Sequence, residues 1–152
     1  MKEKLTQMYM PVQIENILFE IPQGAHYRQL KHDTGFHGYQ VFFAWQEREY
    51  SLEIAIYPGD YDLEHTINTK FEANNSLFPS VLNIKPTPLV EKNGIYCRYL
   101  FADGPDDLLL VTLYGIEEAD SKIIITSAVH PEKFPAIEPV LDTFIETFTI
   151  SG

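Results

Sequence analysis

Residues 95–129 read IYCRYLFADGPDDLLLVTLYGIEEADSKIIITSAV, and this stretch decides the fold. Three apolar runs, at 95–101, 108–116 and 122–129, are separated by Asp103-Gly104-Pro105-Asp106-Asp107 and by Glu117-Glu118-Ala119-Asp120. The runs are rich in aromatic and β-branched residues, which fit a pleated, half-buried surface. The separators are turn formers. The pattern therefore predicts a three-strand meander. LLLVTLYGI, 108–116, is apolar on both faces, as a central strand is. Just upstream, Asn93-Gly94 is a strong hairpin signal, and 81–92 reads as an extended edge segment carrying Pro86 and Pro88.

Outward from the meander the chain keeps the same grammar. VQIENILFEI, 12–21, reads as one short strand stopped by Pro22. HYRQLKH, 26–32, suits a polar edge strand, and the glycines of 33–38 mark a turn. YQVFFAW, 39–45, is a strand, and Gln46-Glu47-Arg48-Glu49 is a charged hairpin connection. In SLEIAIY, 51–57, Leu52, Ile54 and Ile56 alternate with Glu53, which predicts one buried face. Pro58-Gly59-Asp60 stops that strand. Asp62 is placed to cap a helix over 62–76 whose stripe is Leu63, Ile67 and Phe71. The closing HPEKFPAIEPVLDTFIETFTI predicts a second helix with Phe134, Ile137, Leu141, Phe144 and Ile145 inward. Pro139 is expected to split off a loose first turn and leave a regular helix over 137–147. The order gives an α+β domain spanning 1–152, with an antiparallel twisted sheet of about six to seven strands and two main helices.

Bulk properties bound the function. The 152 residues suit one domain, and the net charge is −11. Residues 1–50 carry five Lys/Arg against six Asp/Glu, and residues 51–152 carry six against sixteen. An acidic surface repels phosphate backbones, which disfavours nucleic acid and anionic membrane; solubility is the plain reading of the charge, and a basic or apolar protein partner the sharper one. The lone Cys97 allows no internal disulfide. MKEKLTQMYMPVQIEN has no apolar core of a signal peptide, and no run approaches the roughly 18 apolar residues of a membrane span. A cytoplasmic location is expected.

No catalytic residue, cofactor or metal site is expected. His26, His32 and His37 are spaced by six and five residues, which no compact zinc pattern uses. His130 precedes Pro131 and suits a turn. Cys97 lies mid-strand with Ile95, Tyr99 and Phe101, a setting that raises a thiol pKa rather than activating it. Asp103, Asp106 and Asp107 suit a solvated hairpin loop better than a calcium site. Asp60, Asp62 and Glu64 suit the positive end of a helix dipole. The sequence contains no nucleotide-binding glycine motif and no nucleophile elbow.

The aromatics are the remaining signal. Tyr39, Phe43 and Trp45 alternate on one strand, and Tyr57, Tyr96 and Tyr114 lie on others. If two helices cover only part of the sheet, some of these rings line an open surface, and open apolar surfaces mark partner or ligand sites. Packing beneath the helices is the plain alternative.

The segment SAVHPEKFPAIEPVLDTFIETFTI resembles the close of the PsbP-like superfamily, where a strand, a Pro-x-x-Phe loop and a helix ending in an aromatic-x-Ile strand recur. Ser127, Pro131, Phe134, Leu141, Phe144, Phe148 and Ile150 carry the likeness. ILFEIPQG, 17–24, is similar to that group's opening strand. The superfamily includes photosystem PsbP proteins, Ran-binding import factors, DcrB-like lipoproteins and chaperones of type VI secretion effectors. The resemblance implies an α/β/α sandwich. The effector chaperones are small, acidic and cytoplasmic, which fits this chain better than the lipoproteins. The expected function is therefore a non-catalytic protein-binding module in an adaptor, chaperone or immunity role. Its aromatic sheet face would take an apolar helix or a basic protein, or a second copy as a homodimer. A small-molecule binder or enzyme, with a pocket between sheet and helix, is the alternative.

Overall fold

The computed structural model describes residues 8–30, 37–118 and 120–151. His32, residues 33–36 of the expected turn, Ala119 and the first seven residues lie outside the described residues. The strands are β1 (Tyr9–Ile14), β2 (Ile17–Pro22), β3 (His26–Leu30), β4 (His37–Trp45), β5 (Arg48–Tyr57), β6 (Ile84–Pro88), β7 (Gly94–Ala102), β8 (Leu108–Glu118), β9 (Ser121–Val129) and β10 (Thr149–Ile150). Helix α1 is Leu63–Leu77. Helix α2 is Phe134–Thr147, entered through a 3₁₀ turn at Pro131–Lys133.

Seven strands form one antiparallel sheet in the order β3-β4-β5-β9-β8-β7-β6, and β1-β2-β10 form a second of three. The expected meander is β7-β8-β9, with Tyr96 opposite Tyr114 and Tyr114 opposite Ile125. β8 lies inside the sheet between β9 and β7, and its residues Leu110–Ile116 are buried on both faces. The α+β class and both helices stand as the sequence predicts, with a second sheet added.

That second sheet comes from a turn the sequence hides. The expected strand 12–21 is a hairpin, with Ile14 paired to Ile17 across Glu15 and Asn16. Glu15 takes φ +54°, a left-handed conformation that a two-residue hairpin turn requires. Gln46 and Glu47 do the same between β4 and β5 (φ +49° and +64°). In both places the pairing of flanking strands imposes a conformation that glycine usually takes. Asn93-Gly94 is not the turn between β6 and β7. Leu89 N–H donates to the Gly94 carbonyl, and Glu91 takes the positive φ of +60° inside the loop between them.

α1 starts where Asp62 accepts a hydrogen bond from His65 N–H at 3.1 Å, a side-chain N-cap. It buries Leu63, Ile67 and Phe71 on Cys97, Tyr99, Val111, Leu113 and Ile124, one face of the large sheet. Gly115 permits the approach: a Cβ there would lie 2.4 Å from Ile67 Cδ1 and 2.5 Å from Leu63 Cδ2.

The opposite face is covered by the small sheet and α2. Ile17, Phe19 and Ile21 of β2 and Ile137, Val140, Leu141 and Phe144 of α2 close over Val41, Leu52, Ile54, Ile116 and Ile125. Phe19 and Phe144 meet at 4.5 Å between ring centroids. α2 begins at Phe134 rather than 137 and runs through Pro139. Pro139 and Pro135, the residue whose carbonyl loses its helical donor, are both exposed, so water can replace the missing hydrogen bond. No helix among the described residues is long and apolar enough to cross a membrane.

Candidate functional site

The six candidate aromatics do not share one face of the sheet. Strand pairing sets Tyr39, Phe43, Trp45, Tyr96 and Tyr114 on the face covered by the small sheet and α2. Tyr57 is on the other face, stacked on Tyr61 at 3.9 Å. Burial, with Tyr61 beside it, pushes the Tyr57 phenol up to about 12.

Phe43 packs within the sheet, and Tyr39 and Trp45 join it to the other layer. Phe43 is 2% exposed and stacks on Tyr50. Tyr39 donates to Glu15 Oε2 at 2.6 Å, and His37 Nε2 lies 2.7 Å from the same oxygen. Trp45 Nε1 donates to the Ala136 carbonyl at 2.8 Å, fixing the start of α2 to β4. Phe43 is buried, and Tyr39 and Trp45 are half-buried against the small sheet and α2.

Tyr96 and Tyr114 behave differently. They stack at 6.1 Å and floor a trough of about 420 Å³ between α2 and the β6–β7 hairpin. Tyr114 is 3% exposed, and burial pushes its phenol up to about 12, against the pull of the Arg98 charge. Tyr96 is half-buried and meets the opening.

Arg98 organises the trough floor. Its guanidinium lies 4.5 Å from the centre of the Phe134 ring and 5.8 Å from that of Tyr96. Its Nε donates to the buried Thr112 hydroxyl at 3.2 Å, and Glu138 lies 3.6 Å away. A guanidinium so placed is weakly hydrated and sandwiched by rings, the setting that suits arginine better than lysine. One wall is α2, carrying Glu138, Asp142 and Glu146. The facing wall is Pro88, Leu89 and Val90.

Arg98 and the three carboxylates were not singled out by sequence reasoning. The acids recur every four residues, which places them on one helix face, and that spacing was the available signal. Arg98 gives no such sign, because an arginine in a strand is ordinarily solvent-facing.

The other candidates separate. His26 stacks on Phe42 at 5.2 Å, and His130 lies 3.4 Å from Asp107. Among the described residues no group of three or more His, Cys, Asp or Glu is placed to hold a metal ion. Cys97 is fully buried, and burial pushes its thiol up to about 12, so it is a poor nucleophile. The Asp103–Asp107 segment is a hairpin loop closed by Asp103 N–H to the Asp107 carbonyl at 2.7 Å.

No family model matches the sequence, and no curated protein matches it. Among solved structures, the cyanobacterial PsbP (CyanoP) of Synechocystis sp. PCC 6803 superimposes with a TM-score of 0.56. The match covers 96% of this chain and 94% of that one at 14% identity. The fold is PsbP-like. At that identity the PsbP-like likeness is one of architecture alone. It bears out the fold that the closing segment suggested and leaves the trough to be read from its own residues.

Proposed function

We propose that this chain is a non-catalytic protein-binding module of the adaptor, effector-chaperone or immunity kind, with its partner held in the trough between α2 and the β6–β7 hairpin. The observation that carries this reading is the trough's lip. Val90 is 84% exposed beside an aromatic floor, and an exposed aliphatic next to half-buried rings gains from being covered. The closing segment's resemblance to the PsbP-like superfamily, which includes protein-binding members, is compatible with the same class. An enclosed pocket with converging histidine and carboxylate groups would favour a small-molecule site instead. The trough is open, and no histidine among the described residues lines it.

Selection of a display library of short random peptides on the purified protein tests the reading. The expected result is a set of peptides whose affinity falls about tenfold, roughly 1.4 kcal/mol, with Tyr96→Ala or Val90→Asp. Both variants should melt within a few degrees of the wild type. The reading is abandoned if no peptide is enriched, or if the enriched peptides ignore both substitutions.

A further inference from the structure

The trough's charges are unevenly satisfied. Glu138 has Arg98 at 3.6 Å, whereas neither Asp142 nor Glu146 has a cation within ion-pair distance among the described residues. Both trough cations are already held. Arg98 is spent on Thr112, Glu138 and two rings, and Lys92 Nζ donates to the Phe148 carbonyl at 2.7 Å. Two exposed carboxylates therefore face an apolar wall across an open trough, and complementarity asks for cations from outside.

Size and spacing constrain what brings them. The trough, at about 420 Å³, takes a short stretch of chain rather than a folded surface. An extended segment turns successive side chains to opposite sides, one acidic wall and one apolar wall here. One turn of α2 separates Asp142 from Glu146, roughly 6 Å along the axis at about 1.5 Å per residue. Alternate side chains of an extended chain lie roughly 6.5–7 Å apart on one side, and the residue between them points the other way. Backbone pairing to β6 is hindered, because Pro86 and Pro88 remove two N–H groups from that edge strand. Recognition then falls to side chains.

From this we infer that the trough takes an extended segment of a protein partner with the alternation basic, aliphatic, basic. This rests on the protein-binding reading above. The two cations meet Asp142 and Glu146, and the aliphatic side chain between them covers Leu89 and Val90.

Fluorescence anisotropy with labelled synthetic peptides tests it. The probes are an Arg-Val-Arg peptide, the block order Arg-Arg-Val, the charge-reversed Asp-Val-Asp, and an alanine-framed helix former with arginines four apart. Arg-Val-Arg is expected to bind at least about tenfold tighter than the other three, and more weakly as salt rises. Asp142→Lys with Glu146→Lys should remove that binding, while Glu53→Lys, exposed on the opposite sheet face, should leave it unchanged. Circular dichroism and melting of each variant report folding separately. Equal binding of the block or reversed peptide, or no effect of the double substitution, overturns the inference. If library-selected peptides depend on Tyr96 but lack the alternation, the inference fails and the protein-binding reading stands. If no peptide depends on the trough, both fail.

Discussion

Tyr39 donates its phenolic hydrogen to Glu15 Oε2 across 2.6 Å, joining the large sheet to the tight turn of the small one. His37 sits 2.7 Å from the same oxygen, so one carboxylate gathers two partners from β4. The site is partly wet, with the Glu15 side chain 40% exposed, which limits its worth. Glu15→Gln and Tyr39→Phe are each expected to cost about 1 kcal/mol, and the double variant little more than either single one. Urea unfolding of the four-membered cycle checks this. Additive losses would mean that the two side chains act independently.

Gly115 sets the distance between α1 and the large sheet. A Cβ there lies well inside contact distance of both Leu63 and Ile67, two buried residues of the helix stripe. Gly115→Val is expected to destabilise by at least about 1–3 kcal/mol, the usual cost of overpacking. Thermal melting should show a fall of several degrees. Leu63→Ala combined with Gly115→Val should cost less than the sum of the two single losses.

Neighbouring positions on α2 should separate stability from binding. Phe144 is fully buried between Phe19 and Phe148. Phe144→Ala is expected to cost about 3–5 kcal/mol. Asp142→Lys, two residues earlier but exposed, should change stability by less than about 0.5 kcal/mol while altering the trough's charge. Denaturation midpoints of the two variants give the comparison directly.

Burial raises Cys97 from 9.0 to about 12, and raises Tyr39, Tyr99 and Tyr114 from 10.0 to about 12. A raised folded-state pKa means the neutral form is favoured in the native protein. The stability this represents is complete below the unfolded value and is lost as pH climbs towards the folded one. Unfolding free energy should therefore hold to about pH 9 and decline between about pH 9 and 12. Cys97→Ala should delay the onset towards pH 10. In native buffer at pH 8, Cys97 should react with a thiol reagent only as fast as the chain opens. Rapid labelling without unfolding would contradict its burial.

What the sequence disclosed follows from where its signals are local. The β7–β8–β9 meander was legible because Gly104, Pro105 and the acidic turn interrupt long apolar runs. Leu63, Ile67 and Phe71 announced α1 by their spacing. The first hairpin was not legible, because Glu15 and Asn16 carry no glycine and Glu15 turns left-handed only under the pull of paired strands. The fate of the aromatics was equally hidden. Phe43 is buried and Trp45 half-buried because β1, β2 and α2 close over β4, a fact of tertiary packing that no alternation along β4 records. The trough required two distant pieces at once: acids one helical turn apart on α2, and Tyr96 and Arg98 on β7. Each alone looked like ordinary surface.

β10 pairs Thr149 with Leu18 and Ile150 with Ile17, and Ser151 N–H donates to the Asn16 carbonyl at 2.9 Å. The small sheet thus joins residues more than a hundred positions apart. During synthesis its first two strands emerge early and must wait, with one edge bare, until nearly the whole domain has left the ribosome. Closing so long a loop adds little to the equilibrium cost but slows the search. Until residues 149–150 pair with it, that edge of β2 is the kind of unpaired edge a neighbouring strand can take.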